Sequence, residues 1–247
     1  MKADSQAQAA LLDLQALDST LAQLQHRRKT LPEHAKIEEL QARVNELDGT
    51  RIEAATKVDD LTRDQRKADA EVELVKTRRA RDEERLASGA ITNPKDLASL
   101  QHELTALERR ITTLEDDELE VMEALEEAQT VLDAAQAELA NVQEELDQTV
   151  AARDAAVAVL DEQIADSQAE RDSSATGVPD DLTTLYDKVR AQYGGLGAAA
   201  LRAKKCEGCR LEINSADLRE LAALPEDEVL RCPECSRILV RTAESGL

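Results

Sequence analysis

A repeating three- and four-residue spacing between apolar side chains runs through most of this sequence and limits the chain to long helices. Two series that advance by seven residues start at Leu97 and Leu100, and 16 of their 20 positions are apolar. An earlier pair of series starts at Ile37 and Leu40, and 11 of its 15 positions are apolar. This spacing places one apolar stripe along each helix, as coiled coils require. The sequence therefore predicts two long helices that pack through these stripes.

A short segment with the sequence ASGAITNPKDL separates the two pairs of series. It is the only cluster of Gly, Pro and Asn in the first 170 residues, so we expect a chain reversal near residues 88–95. The arms on either side have similar lengths, which predicts an antiparallel coiled-coil hairpin over residues 1–172. At about 1.5 Å per residue, each arm is on the order of 110 Å long. Pro32 interrupts the first arm and the register shifts after it, which predicts a kink near residue 32.

The composition leaves little material for a large globular core. Tyr186 and Tyr193 are the only aromatic residues, 34% of the chain is charged, and Ala, Leu and Val supply most of the apolar content. The net charge is −21, and nearly all of it lies in residues 1–195, because residues 196–247 hold eight basic and nine acidic side chains. Binding to a nucleic-acid duplex relies on Lys and Arg beside phosphates. We therefore expect any nucleic-acid contact to be confined to local basic patches.

Two classes of function have little support in the sequence. The start, MKADSQAQAALLDL, lacks the apolar core of a signal peptide, and no run of about 18 apolar residues could span a membrane. We therefore expect a soluble, cytoplasmic protein without a membrane partner. His26, His34 and His102 lie off the main stripes, and the chain has no nucleophile motif and no phosphate-binding loop. We expect no enzymatic activity and no small-molecule substrate.

The coiled-coil pattern ends at the segment DSSATGVPDD. The next residues, PDDLTTLYDKVRAQYGG, predict a short helix that begins at Pro179 and stops at Gly194 and Gly195. Residues 173–195 are thus predicted to form a linker with a short helix. Residues 196–247 are predicted to form a separate domain with short β-strands.

All four cysteines lie in this last domain, in two Cys-x-x-Cys pairs. Structural Zn²⁺ takes four tetrahedral ligands, and four thiolates leave no open position for a substrate. In a reducing compartment the pattern favours a metal over disulfides. We predict one structural Zn²⁺, which the small domain needs for its stability, and a redox dithiol pair or two disulfides remain as alternatives. The predicted ligands are Cys206, Cys209, Cys232 and Cys235.

Three further motifs suggest a known layout: ITNPKDLASLQHEL at the reversal, LY in the short helix, and CPECSRIL at the second cysteine pair. With the long coil, they resemble a bacterial family of C4-type zinc ribbon proteins with an N-terminal coiled-coil hairpin. The resemblance spans nearly all of the chain. It implies a mainly α fold with a small zinc ribbon, the four cysteines as zinc ligands, and a binding or adaptor role. Family members often have Gly after the last cysteine, so Ser236 is expected to occupy a strained turn.

Two basic patches stand out against the acidic sequence. Each is a contact point for phosphate or an acidic partner surface on one interpretation, and a solvated face with local ion pairs on the other. The tip patch consists of Arg78, Arg79, Arg81, Arg85 and Lys95, with Lys76 beside it. The ribbon patch consists of Arg202, Lys204, Lys205, Arg210 and Arg237.

Together these patterns predict a non-enzymatic, zinc-binding adaptor that binds partner macromolecules, most readily a protein, through the tip and the ribbon. The alternative is a nucleic-acid-binding regulator that uses the basic surface of the ribbon. Without Phe or Trp, the chain has no strong stacking platform for single-stranded bases. The segment before Pro32 could pack on the far arm of its own hairpin or on a second chain, so the oligomeric state stays open.

Overall fold

The computed structural model describes residues 1–247, which form two compact units. The hairpin unit is Ala35–Val150, and the head unit combines Met1–His34 with Ala151–Leu247. The mainly helical fold, with a small strand region at its C-terminal end, confirms the predicted fold class. None of the helices has an apolar stretch long enough to cross a membrane. The elements are α1 (Ser5–Lys29), α2 (Pro32–Ala87), α3 (Pro94–Ala175), α4 (Asp180–Gln192), β1 (Ala198–Arg202), β2 (Lys205–Cys206), α5 (Ser215–Ala223), β3 (Leu230–Arg231) and β4 (Ile238–Arg241).

Within the hairpin unit, α2 and α3 meet along the predicted apolar stripes. Every stripe position on α2 from Ile37 to Leu86 is buried or half-buried, and Ile111 and Leu132 are buried on α3. Ion pairs join the two helices beside the stripes: Lys36–Glu145, Arg43–Glu138, Lys76–Glu115, Arg78–Glu103 and Arg79–Glu108. Solvent screens such exposed pairs, so each contributes little to stability. The apolar stripe therefore supplies most of the stability, and the ion pairs favour one register.

The reversal between α2 and α3 follows directly from its residue types. Gly89 adopts a φ of 67°, a conformation that is unfavourable for most other residues. The Asn93 side chain accepts a hydrogen bond from the Lys95 amide at 3.0 Å and so caps α3. Pro94 then occupies the first helical position, where its missing amide costs nothing.

The strands of the head unit form one sheet with the order β2-β1-β4-β3. The outer pairs are antiparallel, whereas β1 and β4 in the centre are parallel. Alternate residues point to opposite faces: Ala198 and Ile238 belong to one buried cluster, and Leu201 and Leu239 belong to the other. The sheet therefore has a core on each face.

Helices α1 and α4 cover one face of this sheet. Leu11 and Leu14 of α1 and Tyr186 of α4 are fully buried in the same cluster as Ile238 and Val240 of β4. The sequence left open whether the segment before Pro32 packs on the far arm of its own hairpin or on a second chain. In the structure α1 packs within its own chain, and the core of the head unit is built from both ends of the sequence.

The other face of the sheet is covered by α5 and the cysteine-bearing loops. Ile213 and Leu221 pack there with Leu239, and Cys206 and Cys232 belong to the same buried cluster. This second cluster is small, so a metal ion bound by the cysteines would supply a large part of what holds this face together.

Candidate metal centre

The sulfur atoms of Cys206, Cys209, Cys232 and Cys235 all lie within 4.8 Å of one another. The Cys206–Cys235 and Cys209–Cys232 sulfur pairs are each 3.9 Å apart. A tetrahedral zinc centre with Zn–S bonds of about 2.3 Å places its sulfurs about 3.8 Å apart. A disulfide requires about 2.05 Å, and all four cysteines are free. The predicted ligand set is therefore assembled with a spacing that fits Zn²⁺ bound by four thiolates.

The two Cys-x-x-Cys loops share one backbone geometry. The Arg210 amide donates to the Cys206 carbonyl at 2.7 Å, and the Ser236 amide donates to the Cys232 carbonyl at 2.8 Å. Arg210 and Ser236 both lie in the left-handed region, with φ values of 63° and 58°. A non-glycine residue there costs about 1 kcal/mol. The strained turn expected at Ser236 is thus present, and the first loop contains an equivalent one.

Burial raises the pKa of the cysteine thiols, whereas local hydrogen bonds lower it. Burial raises the pKa of the Cys206 and Cys232 thiols. Burial also acts on Cys235, but hydrogen bonds from the backbone and side chain of Arg237 lower its pKa to about 7. A bound Zn²⁺ favours the thiolate form of all its cysteine ligands. Local hydrogen bonds thus support the form of Cys235 that binds metal.

Arg237 has a structural role that its sequence context did not reveal. Its guanidinium donates to the backbone carbonyls of Leu196 at 3.1 Å and Tyr193 at 3.2 Å. It also lies over the Tyr193 ring, 5.3 Å from the centroid, in cation–π geometry. These contacts tie the second cysteine loop to the segment that follows α4. Two of the N–H donors of Arg237 are therefore already hydrogen-bonded within the head unit.

The other basic residues of the ribbon patch differ in their ion pairing. Arg202 pairs with Glu207 at 3.2 Å and with Glu244 at 2.9 Å. The remaining three cations are exposed and form no ion pair: Lys204, Lys205 and Arg210. The free positive charge of this surface is thus concentrated beside the first cysteine pair.

The tip patch also contains both ion-paired and unpaired cations. Three of its arginines are held in ion pairs: Arg78 with Glu103, Arg79 with Glu83 and Glu108, and Arg85 with Asp82. Arg81 and Lys95 are exposed and have no such partner. The solvated-face interpretation therefore describes three of the five predicted residues, and two remain available for contact.

A buried polar network, which the sequence did not predict, joins α1 to α3 and α4. Asp18 is 1% exposed and accepts hydrogen bonds from Tyr186 at 2.6 Å and from Arg171 at 2.8 Å. Arg190 forms a second ion pair with Asp18 at 3.2 Å. Burial and the hydrogen bond to Asp18 raise the pKa of Tyr186, so its hydroxyl stays protonated and donates. The available signal was an acidic residue at helical spacing from Leu14 on an otherwise apolar face.

Gln15 extends this network to the backbone before β1. Its side-chain oxygen accepts from the Gly197 amide at 2.7 Å, and its side-chain nitrogen donates to the Gly195 carbonyl at 2.9 Å. A Cβ on Gly197 would lie 2.8 Å from the Tyr186 ring and from the Tyr186 carbonyl oxygen. This close approach requires glycine at residue 197. Gln15 and Asp18 together hold α1, α4 and the sheet in one arrangement.

The sequence matches two known domain families. The CT398-like coiled coil hairpin domain matches residues 14–194, and the C4-type zinc ribbon domain matches residues 205–239. The protein Rv2229c of Mycobacterium tuberculosis is 37% identical over 241 residues, which cover 98% of both chains. ML1638 of Mycobacterium leprae is 28% identical over 222 residues, which cover 90% of this chain and 95% of the relative.

Solved structures show the same fold. A Mycobacterium smegmatis protein superposes with a TM-score of 0.84 at 35% identity, covering 98% of this chain and 100% of that one. CT398 of Chlamydia trachomatis superposes with a TM-score of 0.67 at 16% identity, covering 96% and 98%, which supports the fold alone. These matches confirm the resemblance drawn from the sequence. The chain therefore belongs to the CT398-like coiled-coil hairpin family and carries a C4-type zinc ribbon.

Proposed function

We propose that this protein is a non-enzymatic, zinc-binding adaptor that binds partner macromolecules through the hairpin tip and the ribbon. One observation supports this most directly: some cations in a strongly acidic chain have no ion-pair partner. Among them are Arg81 and Lys95 at the tip, and Lys204, Lys205 and Arg210 at the ribbon. Because they are exposed and uncompensated, an acidic partner surface can bind there without breaking existing pairs.

The metal centre supports a structural rather than a catalytic role. Four thiolates complete the tetrahedral shell of Zn²⁺, so no coordination position remains for water or a substrate. His26 and His102 are exposed on long helices, outside the cysteine cluster. Zinc would thus hold the ribbon surface in shape, and binding would be the activity.

The alternative, nucleic-acid binding by the ribbon, has weaker support. Arg202 and Arg237, two of its five predicted contact residues, are already engaged by carboxylates or backbone carbonyls. A zinc centre with four thiolates adds two negative charges close to the remaining cations. Tyr193 is half-buried beside Arg237, so it offers little surface for base stacking.

Affinity capture from a lysate of the source bacterium, with the intact zinc-loaded protein as bait, tests this proposal. The tip variant carries Arg81→Glu and Lys95→Glu, and the ribbon variant carries Lys204→Glu, Lys205→Glu and Arg210→Glu. Parallel samples are treated with nuclease, and bound proteins are quantified by mass spectrometry. We expect a protein partner that survives nuclease and falls by about tenfold or more in at least one variant.

A matched control is Lys57→Glu with Arg66→Glu, which reverses two exposed cations of the hairpin that also lack ion pairs. The control should leave capture unchanged. Two results would overturn the proposal. One is a set of captured proteins that neither the tip variant nor the ribbon variant alters, and the other is recovery of RNA or DNA that the ribbon variant abolishes.

A further inference from the structure

One face of the hairpin unit carries an open groove with an apolar floor. It has a volume of about 560 Å³ and lies between Val58 and Gln65 on α2 and Leu119 and Gln129 on α3. Leu119 and Met122 line it and are 55% and 42% exposed. Neighbouring large apolar side chains with this exposure favour contact with another apolar surface, at about 25 cal/mol per Å² buried.

A second groove continues the first along the same face. It has a volume of about 530 Å³ and is lined by Val44 on α2 and by Leu139 and Gln143 on α3, among others. Val44 lies two heptads before Val58, and Gln143 lies two heptads after Gln129. Residues separated by whole heptads share one face of a coiled-coil helix. The two grooves therefore form one track that can accommodate several turns of a third helix.

Helix α3, which forms one side of this track, is strongly acidic along this stretch, and Glu123 and Glu126 line the first groove. Residues 111–150 contain 13 Asp and Glu residues and no Lys or Arg. A hydrogen bond with Asp69, together with burial and repulsion, raises the pKa of Glu118, as expected where negative charge is poorly compensated. Seven acidic residues between 116 and 127 form no ion pair: Asp116, Asp117, Glu118, Glu120, Glu123, Glu126 and Glu127.

We propose that this track binds a basic amphipathic helix of a partner protein. The apolar face of such a helix would cover Leu119 and Met122, and its flanking Lys or Arg side chains would lie beside Glu123 and Glu126. Helix-in-groove binding of this kind draws its affinity from the apolar anchors and its specificity from the surrounding charges.

Two other occupants fit the charges less well. A second copy of this chain would bring another acidic α3 to the same face, and residues 55–70 of α2 could not compensate, since they hold four basic and four acidic side chains. Nucleic acid is a polyanion, and it would be repelled by the unpaired carboxylates. A cationic amphipathic helix is the occupant that matches both the apolar floor of the groove and the acidic side chains beside it.

Calorimetric titration with a synthetic helical peptide tests the proposal. The probe is a peptide of about four LAKLKKA heptads, which places Leu on one face and Lys beside it. A scrambled peptide of the same composition, without that face, reports on charge attraction alone. At about 150 mM salt, we expect the amphipathic peptide to bind at least about tenfold more tightly than the scrambled one.

Paired variants locate the binding site. Leu119→Gln with Met122→Gln should weaken binding by about tenfold. The matched control is Leu74→Gln with Val131→Gln, which removes two apolar residues that are even more exposed but lie outside the groove, and it should change affinity less than about twofold. Glu123→Gln with Glu126→Gln should also weaken binding, and circular dichroism verifies that every variant keeps its helicity.

Three results would overturn the proposal. They are equal affinity for both peptides, loss of binding in the control variant to the same extent, or a dimer in sedimentation that dissociates when Leu119 and Met122 are replaced. The last result would identify a second copy as the occupant. The tip and ribbon variants should bind the peptide normally, so failure here is distinguishable from failure of the adaptor proposal.

Discussion

The hairpin unit and the head unit bury different kinds of side chain. The largest fully buried side chains, those less than 2% exposed, all lie in the head unit, from Leu11 and Asp18 to Tyr186 and Ile238. In the hairpin unit the buried residues follow one stripe, and many positions on it are only half-buried. A two-helix stripe tolerates substitutions at single positions, whereas a core with layers on both sides of a sheet does not. The difference predicts where the chain is most sensitive to change.

Removal of zinc should have the most different effects on the stability of the two units. Structural zinc sites contribute on the order of 10 kcal/mol, and the cluster around Cys206 and Cys232 contains few other large side chains. We expect a chelator to make residues 196–247 susceptible to protease while residues 35–150 stay resistant. Limited proteolysis with mass spectrometry measures this directly. The same pattern should appear in Cys232→Ser without chelator, and equal protection of both regions would contradict the structural role of the metal.

The buried carboxylate of Asp18 provides a second test of the comparison. Asp18→Asn leaves the Arg171 and Arg190 charges without their shared partner, and breaking a buried pair costs about 3 kcal/mol. The counterpart in the hairpin unit is Asp82→Asn. Asp82 is also buried, but its only ion pair is with the exposed Arg85 at 3.5 Å, so we expect a loss below about 1 kcal/mol.

Urea unfolding, combined with hydrogen exchange of individual amides, measures both losses and assigns each to a unit. Asp18→Asn should increase exchange across the head unit and leave α2 protected. A similar loss of stability in the two variants would show that the buried network around Asp18 contributes no more to stability than the single ion pair of Asp82.

The same glycine-to-alanine change should have opposite signs in the two units. At Gly197 the new Cβ would lie 2.8 Å from Tyr186, and overpacking of this kind costs about 1–3 kcal/mol. At Gly49, within α2, nothing lies within 4 Å of the new Cβ, so alanine should stabilise the helix by about 0.5–1 kcal/mol. Thermal unfolding of the two variants measures both shifts. A loss of stability in Gly49→Ala would mean that this face of α2 is covered in solution.

The hairpin and the cysteine cluster could be predicted because their signals are local or specific. Heptad spacing depends on neighbouring turns of one helix, so the stripe positions on α2 can be read from the residues themselves. The four cysteines could be assigned together because two Cys-x-x-Cys pairs supply one complete ligand shell.

The construction of the head unit could not be predicted in the same way. The leucines of α1 follow the same spacing as the rest of the coil, so nothing local shows that Leu11 and Leu14 pack against β4. The boundary predicted at residue 172 follows the end of a helical pattern, whereas the compact unit includes Ala151 onward and Met1–His34. Arg237 and Lys205 look alike as surface cations, and only tertiary structure shows that Arg237 binds backbone carbonyls.

The parallel pairing of β1 with β4, over a core shared with α1, can form only after the last strand of the chain has been synthesised. Gln8 hydrogen-bonds to the Glu226 carbonyl, 218 residues later, so α1 leaves the ribosome long before its packing partners exist. The hairpin contacts are made within one continuous segment and can form as soon as α3 has been translated. A chain that stops before Ile238 would thus present a finished hairpin together with an apolar cluster, including Leu11 and Leu14, that lacks the side chains of β4.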